Sequence, residues 1–240
     1  MNAEPIPDEA VSQALVEDRV AALWERVERA GRDVSDVTLV AVTKGFPPWI
    51  VDVAQRAGLV DLGENYAQEL VAKVAEYESS REAASEPVTA RAGIRWHFIG
   101  RLQRNKVRSI APHVWLWQTV DRVSLADEIA RRALGARVMI QVNTTGEAHK
   151  GGCPLSEVEM LVEHAVLGGL TVDGLMTVGP AGDPESARPG FRAVAQLTDS
   201  LGLAECSMGM SADLDVALSE GATMVRVGTA LFGPRRVAQA

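Results

Sequence analysis

Val37-Thr38-Leu39-Val40-Ala41-Val42-Thr43-Lys44 is a short apolar run rich in β-branched residues, and Gly45-Phe46-Pro47-Pro48 ends it at once. A run of this kind reads as a strand buried on both faces, as in a parallel sheet. The glycine and the two prolines punctuate its end. Lys44 therefore stands at the carboxyl end of a buried strand, where α/β folds place their ligands. Partial desolvation there lowers an amine's pKa and makes it a nucleophile toward carbonyls. A strand-end lysine also commonly snorkels into solvent, so the rest of the chain has to decide between the two.

Upstream, Asp8–Ala30 carries Val16, Val20, Leu23 and Val27 on one face and is followed by Gly31, the pattern of an amphipathic helix with a C-cap. Downstream, strand candidates recur at Leu59–Leu62, Trp96–Ile99, Val114–Val120, Val138–Val142, Thr171–Met176, Glu205–Met208 and Met224–Val227. Helical patterns fill the gaps: Trp49–Ala57, Ala67–Tyr77, Leu102–Ile110, Ser124–Leu134, Leu155–Leu167, Gly190–Leu201 and Ala212–Ser219. Alternation of this kind implies a parallel sheet. Eight similar units favour an α/β fold of the closed (β/α)8, or TIM-barrel, type: one domain over residues 1–240, with an extra N-terminal helix and the barrel over Val37–Gly233. An open doubly wound sheet is the structural alternative. No Gly-x-Gly-x-x-Gly follows the first strand and no GxxxxGK[ST] loop is present. Ser79–Gly93 and Gly179–Gly190 read as loops, the second on the ligand face of the barrel.

Composition narrows the function. The 240 residues are 47% hydrophobic and 23% charged, which suits one compact domain. A net charge of −8 argues against a nucleic-acid binder and against an anionic membrane surface, while leaving room for a local phosphate site built from backbone amides. The acidic, proline-containing start, Met1–Ala10, does not read as a signal peptide, no apolar run is long enough to span a membrane, and the expected location is the cytoplasm. Cys153 and Cys206 make no disulfide framework; Cys206 lies in an apolar strand and Cys153 in a glycine loop that can be exposed. His97, His113, His149 and His164 are scattered and offer no metal-ligand spacing.

Function in a barrel gathers at the carboxyl ends of strands, above a packed apolar interior. Those ends read Lys44; Gly63-Glu64-Asn65-Tyr66; Trp96-His97-Phe98-Ile99-Gly100; Gln141-Val142-Asn143-Thr144; Met176-Thr177; Ser207-Met208-Gly209-Met210-Ser211; and Arg226-Val227-Gly228-Thr229. Gly228 lets backbone approach a ligand and Thr229 adds a hydroxyl donor; Ser211 reads as the N-cap of the following helix, with Asp213 in its first turn. Tight-turn glycines and a plain cap account for the same residues, so a phosphate site stays an open alternative. Arg226, inside an apolar strand, is costly to bury without a carboxylate, carbonyls or a ligand. Asn65 and His97 suit a polar rim. A lysine nucleophile, a phosphate cup and a strand arginine together fit a phosphate-bearing aldehyde held as a Schiff base, and pyridoxal 5'-phosphate is that kind of molecule.

Six motifs in order carry a resemblance. They are Ala-Val-Thr-Lys-Gly (41–45), Leu-Gly-Glu-Asn-Tyr (62–66), Trp-His-Phe-Ile-Gly-Arg-Leu-Gln-Arg-Asn-Lys (96–106), Gly-Leu-Met-Thr-Val-Gly (174–179), Ser-Met-Gly-Met-Ser-Ala-Asp (207–213) and Val-Arg-Val-Gly-Thr-Ala-Leu-Phe-Gly (225–233). Through them the chain resembles the pyridoxal phosphate homeostasis family, whose fold is that of the N-terminal barrel of alanine racemase. The resemblance implies that Lys44 carries the cofactor, that Ser211, Gly228 and Thr229 hold its phosphate, that Arg226 faces its ring nitrogen and that Asn65 and Ser207 line the pocket. It also implies a monomer or weak dimer, with pyridoxal-phosphate-dependent apoenzymes as candidate recipients. Phe46 stands where the family commonly has a second lysine. A racemase of this fold takes a second base, a tyrosine, from another domain; Tyr66 and Tyr77 both come early and the chain ends at Ala240, so the expectation is a cofactor carrier without substantial turnover. The competing expectations are a racemase-like enzyme on the same site and a lysine aldolase that does not use pyridoxal phosphate.

Overall fold

The structure, a computed structural model, describes residues 11–83, 93–147 and 151–234. Its described strands are β1 (Thr38–Val42), β2 (Asp61–Glu64), β3 (Arg95–Phe98), β4 (Val114–Val120), β5 (Arg137–Val142), β6 (Thr171–Thr177), β7 (Glu205–Ser207) and β8 (Met224–Val227). They close into one barrel in sequence order. All pairs are parallel, and β8 returns to β1 with Val40 opposite Arg226 and Ala41 opposite Val227. The open-sheet alternative is thereby excluded. The helices are α1 (Gln13–Arg29), α2 (Ile50–Arg56), α3 (Ala67–Ala83), α4 (Arg104–Ile110), α5 (Val123–Arg132), α6 (Val158–Leu167), α7 (Arg188–Ser200), α8 (Leu214–Ser219) and α9 (Thr229–Phe232). Among the described residues, no helix is long and apolar enough to cross a membrane.

Most of the core lies between barrel and helices, where outward strand residues such as Leu39, Leu62, Phe98, Ile140 and Leu175 meet the helices' apolar faces. Burial of this layer is the main source of stability. A second, small cluster, Val40, Leu116, Met139, Met176 and Met224, fills part of the barrel interior. The rest of the interior is polar, contrary to the expected apolar packing: His97, Gln118 and Ser207 are fully buried there and Arg226 is 4% exposed.

Several boundaries differ from the sequence reading for local reasons. α1 starts at Gln13 rather than Asp8 because Ser12 is its N-cap, its hydroxyl accepting from the Leu15 amide. Residues 8–10 and His149 lie outside the described residues. α3 runs on to Ala83, so the start of the Ser79–Gly93 segment is helical, and residues 84–92 lie outside the description. The Gly179–Gly190 loop contains a 3-10 turn over Pro184–Ala187, and α7 begins within it at Arg188. Pro189 is tolerated because the first helical turn has no use for its missing N–H. Arg188 then pins this segment to Glu185, Ser219 and Glu220. Cys153 is buried, not exposed: its amide donates to Gln141 O (2.8 Å) and its carbonyl accepts from the Asn143 amide (2.9 Å), so the loop after β5 folds back on that strand.

Candidate functional site

Lys44 lies in the turn two residues past β1, half-buried, and Gly45 follows with φ +74°, a conformation that favours glycine. The turn is fixed from below. Thr43 Oγ1 donates to Glu64 Oε1 (2.6 Å), Lys73 Nζ donates to Thr43 O (2.6 Å) and to Glu64 Oε1 (2.5 Å), and the Gly45 amide donates to Glu69 Oε2 (2.7 Å). Glu64 and Lys73 are buried. Burial pushes the Glu64 carboxyl above its ordinary range, against the opposing pull of Lys73 and Thr43. The sequence singled out Lys44; it gave no sign of this buried pair beneath it, because Lys73 reads as an ordinary polar position of α3.

From the neighbouring strand β8, Arg226 enters the same mouth. Its Nη1 donates to Ser207 Oγ (2.7 Å) and its Nη2 to the Thr177 carbonyl (2.7 Å). The expected partner class is met by a hydroxyl and a carbonyl, and no carboxylate is hydrogen-bonded to it in the description. Burial lowers the guanidinium to about 10, with Asp213 pulling the other way. Asn65 follows β2 directly, and its Oδ1 is buried with no hydrogen-bond partner among the described residues.

The phosphate-side residues are arranged differently from the N-cap reading. α8 starts at Leu214, and the residue at its N-cap position is Asp213, whose carboxylate instead accepts from the Met210 amide (2.6 Å). That turn leaves Ser211 outside the helix. Its hydroxyl accepts from the Ala230 amide of α9 (3.3 Å), joining the loop after β7 to the turn after β8. α9 itself was missed, since a four-residue helix is too short to show a period. Its Leu231 and Phe232 are buried, and Arg19 of α1 donates to the Leu231 carbonyl (2.8 Å). Gly228 is needed for space: a Cβ there would lie 3.1 Å from the Val42 carbonyl oxygen.

Lys44, Asn65, Ser211, Arg226, Gly228 and Thr229 line one cavity of about 380 Å³, with Val42, Phe46, Ile99, Val178 and Met210 as apolar wall. That size and mixture suit a small-molecule site. Ser207 is not on the wall; it lies behind Arg226. His97 is not on the rim either but inside the barrel. Phe46, in the position of the family's second lysine, is buried and packs edge-on against Phe232, ring centroids 5.7 Å apart. A larger cavity of about 740 Å³ adjoins the first at Asn65 and is lined by Tyr66, Arg101, Lys106 and Arg122 among others.

The alanine racemase N-terminal domain family matches residues 19–236. A pyridoxal phosphate homeostasis protein of Aquifex aeolicus is 40% identical over 235 residues, covering 91% of this chain and 98% of that one. Another from Pseudomonas aeruginosa is 41% identical over 223 residues, covering 90% and 92%. Among solved structures, PipY of Synechococcus elongatus with pyridoxal phosphate bound superimposes with a TM-score of 0.76 at 29% identity, covering 91% of this chain and all of that one. The chain belongs to the alanine racemase N-terminal domain family and, within it, to the pyridoxal phosphate homeostasis proteins.

Proposed function

We propose that this protein binds pyridoxal 5'-phosphate in the 380 Å³ cavity and serves the cell's homeostasis of that cofactor, holding it on Lys44 and releasing it to apoenzymes that need it. The observation that carries the reading is the convergence of Lys44, Arg226 and the Ser211–Gly228–Thr229 corner on one cavity from the ends of three strands, β1, β7 and β8. The residues fit the group. Lys44 supplies an amine to condense with the aldehyde, releasing water and leaving a Schiff base. Ser211 and Thr229 supply hydroxyls for the phosphate, with Gly228 giving it room. Arg226 supplies N–H donors for the ring nitrogen, and the unpartnered Asn65 oxygen is available to a donor on the ligand.

When bound, pyridoxal phosphate supplies an electron sink for carbanions next to its imine. Arg226 restrains that capacity. A guanidinium donates hydrogen bonds and has no acceptor, so it holds the ring nitrogen unprotonated and the ring a weaker sink than one paired with a carboxylate. This favours holding the cofactor over turning over an amino acid. The names of the relatives, homeostasis proteins, support the same side.

The test is the visible spectrum of purified protein given pyridoxal phosphate, before and after borohydride, with peptide mapping. A band bleached by reduction and a pyridoxyl group on Lys44, both lost in a folded Lys44→Ala variant, are expected. Failure to take up the cofactor overturns the reading. Sustained racemisation or decarboxylation of an amino acid, abolished by Lys44→Ala, overturns its non-catalytic part.

A further inference from the structure

The polar groups inside the barrel form a continuous series. At the amino-terminal end, Asp61 accepts from Arg95 Nε at 2.6 Å and pairs with Arg95 Nη2. Asp61 Oδ1 lies 2.9 Å from His97 Nε2, His97 Nδ1 lies 2.8 Å from Gln118 Nε2, and Gln118 Oε1 accepts from Ser207 Oγ at 2.7 Å. Ser207 Oγ in turn accepts from Arg226 Nη1 at 2.7 Å. All of these except Arg95 are buried. The series begins at the first residue of β2 and ends on the cofactor cavity, passing through β3, β4, β7 and β8.

Satisfaction fixes the direction of every proton. Arg226 can only donate, so Ser207 Oγ accepts and turns its own hydrogen toward Gln118 Oε1. That places the Gln118 amide nitrogen toward His97, where Nδ1 must be the acceptor. The imidazole proton then sits on Nε2 and is given to the Asp61 carboxylate. The reverse orientation of Gln118 would leave the Ser207 hydrogen without an acceptor among the described residues. The charge states agree with the bonding. Burial would raise the Asp61 carboxyl, yet the hydrogen bonds from His97 and Arg95 hold it below its ordinary value. Burial lowers His97, with Asp61 opposing and Arg95 and Arg137 adding to the lowering, so the ring is neutral. The other groups facing His97 are Trp115, whose ring is 5.3 Å away, and Arg137, which sits over Trp115 and pairs with Asp173.

We propose that His97 and Asp61 are positioning residues for Arg226, acting through Gln118 and Ser207. The relay holds the guanidinium at Nη1 while the Thr177 carbonyl holds Nη2, and the N–H groups not used in these two bonds are left to donate to an acceptor in the cavity. On the functional reading above, on which this identification rests, that acceptor is the ring nitrogen of pyridoxal phosphate. The relay begins at the opposite end of the barrel interior from the cavity, with the Asp61 carboxylate there; Asp213, engaged by the Met210 amide, is the acid whose charge acts on Arg226. Arg226 is thus oriented without a carboxylate hydrogen-bonded to it among the described residues.

Nitrogen-15 NMR of the imidazole and guanidinium groups tests the relay without any cofactor. A neutral His97 carrying its proton on Nε2 at neutral pH, with separate slowly exchanging Arg226 N–H signals, is expected. A proton on Nδ1, or an imidazolium at neutral pH, overturns the proposal. In the loaded protein, His97→Phe and Ser207→Ala should each lower the midpoint of the cofactor's pH-dependent absorption change by roughly one pH unit, the equivalent of one charge-assisted hydrogen bond. A loosened Arg226 lets the ring nitrogen take a proton, and a cationic ring weakens the basicity of the imine attached to it. The double variant should shift no further than either single one, since both cut the same series. Unmoved midpoints in both variants, even with lowered melting temperatures, would leave His97 a purely structural residue. If the wild-type protein takes up no pyridoxal phosphate, the functional reading fails, while the NMR result still decides the relay.

Discussion

Replacing Lys73 by methionine tests how the turn that presents Lys44 is held. Methionine keeps most of the volume and removes the ammonium, which donates to Glu64 Oε1 at 2.5 Å and to the Thr43 carbonyl at 2.6 Å. Both partners are buried, and Glu64 Oε2 already lacks a hydrogen bond among the described residues. Breaking a buried pair from one side typically costs about 3–5 kcal/mol, because a charge is left uncompensated. The variant can limit this by protonating Glu64. From the ordinary value of 4.5, at about 1.4 kcal/mol per pH unit, protonation costs about 5 kcal/mol near pH 8 and less than about 1 kcal/mol near pH 5. The loss of stability should therefore be about 4–5 kcal/mol near pH 8 and about 2 kcal/mol near pH 5, the remainder being the lost Lys73–Thr43 hydrogen bond, since the Thr43 carbonyl keeps only the Phe46 amide (3.1 Å). The sign follows from linkage. Glu64 lies above its unfolded value even in the wild type, so its contribution is complete below that unfolded value and fades as pH rises through the folded one. Removing Lys73 moves that upper edge higher. Urea unfolding at the two pH values is the assay, and Lys73→Met combined with Glu64→Leu should recover most of the loss near pH 8. An equal loss at both pH values, or a double variant no better than the single, would refute the account of Glu64 and Lys73 as a water-excluded pair.

Thr229→Ala should leave folding and covalent trapping on Lys44 intact while weakening retention of pyridoxal phosphate roughly ten- to hundred-fold, the worth of one hydrogen bond to a charged phosphate; dialysis followed by absorbance measures it, and unchanged retention makes Thr229 a turn residue only. Burial pushes the thiols of Cys153 and Cys206 up to about 11. Both should resist a thiol reagent in the native protein near pH 8 and react fully in denaturant, and fast native labelling of Cys153 would contradict the fold-back of the loop after β5.

The barrel is legible because short apolar runs, β-branched in β1, β4, β5, β6 and β8, alternate with helical periods, and the eight strands recur in order. The functional mouth was legible for a related reason: a lysine and an arginine inside such runs are expensive unless something at the strand ends meets them. What did not show was everything that depends on register. β3 and β4 shift register between Trp96 and His97, and β4 and β5 shift again between Trp117 and Val120. No single-strand pattern announces those shifts, so the approach of Gln118 to both His97 and Ser207 was invisible, and His97 was assigned to the rim. Ser211 looked like a cap because a serine before an apolar run usually is one; the Asp213–Met210 turn took its place.

Phe46 separates what belongs to the family from what belongs to this chain. The resemblance expects an amine there, and an amine two residues from Lys44 would bring a second positive charge and a second nucleophile to the turn. In this fold the position is enclosed: Phe46 is 7% exposed, forms part of the cavity wall and meets the Phe232 edge 5.7 Å away. Phe232 belongs to α9, whose first residue is Thr229 on the proposed phosphate corner, and α9 is held from outside by Arg19 of α1. The aromatic pair therefore ties the Lys44 turn to the Thr229 turn at the ends of the neighbouring strands β1 and β8, with apolar contact where the family pattern has a charge. On the proposed reading, handling of the cofactor rests on Lys44 as the amine of this turn, and the positive charge beside it comes from Arg226 on the neighbouring strand.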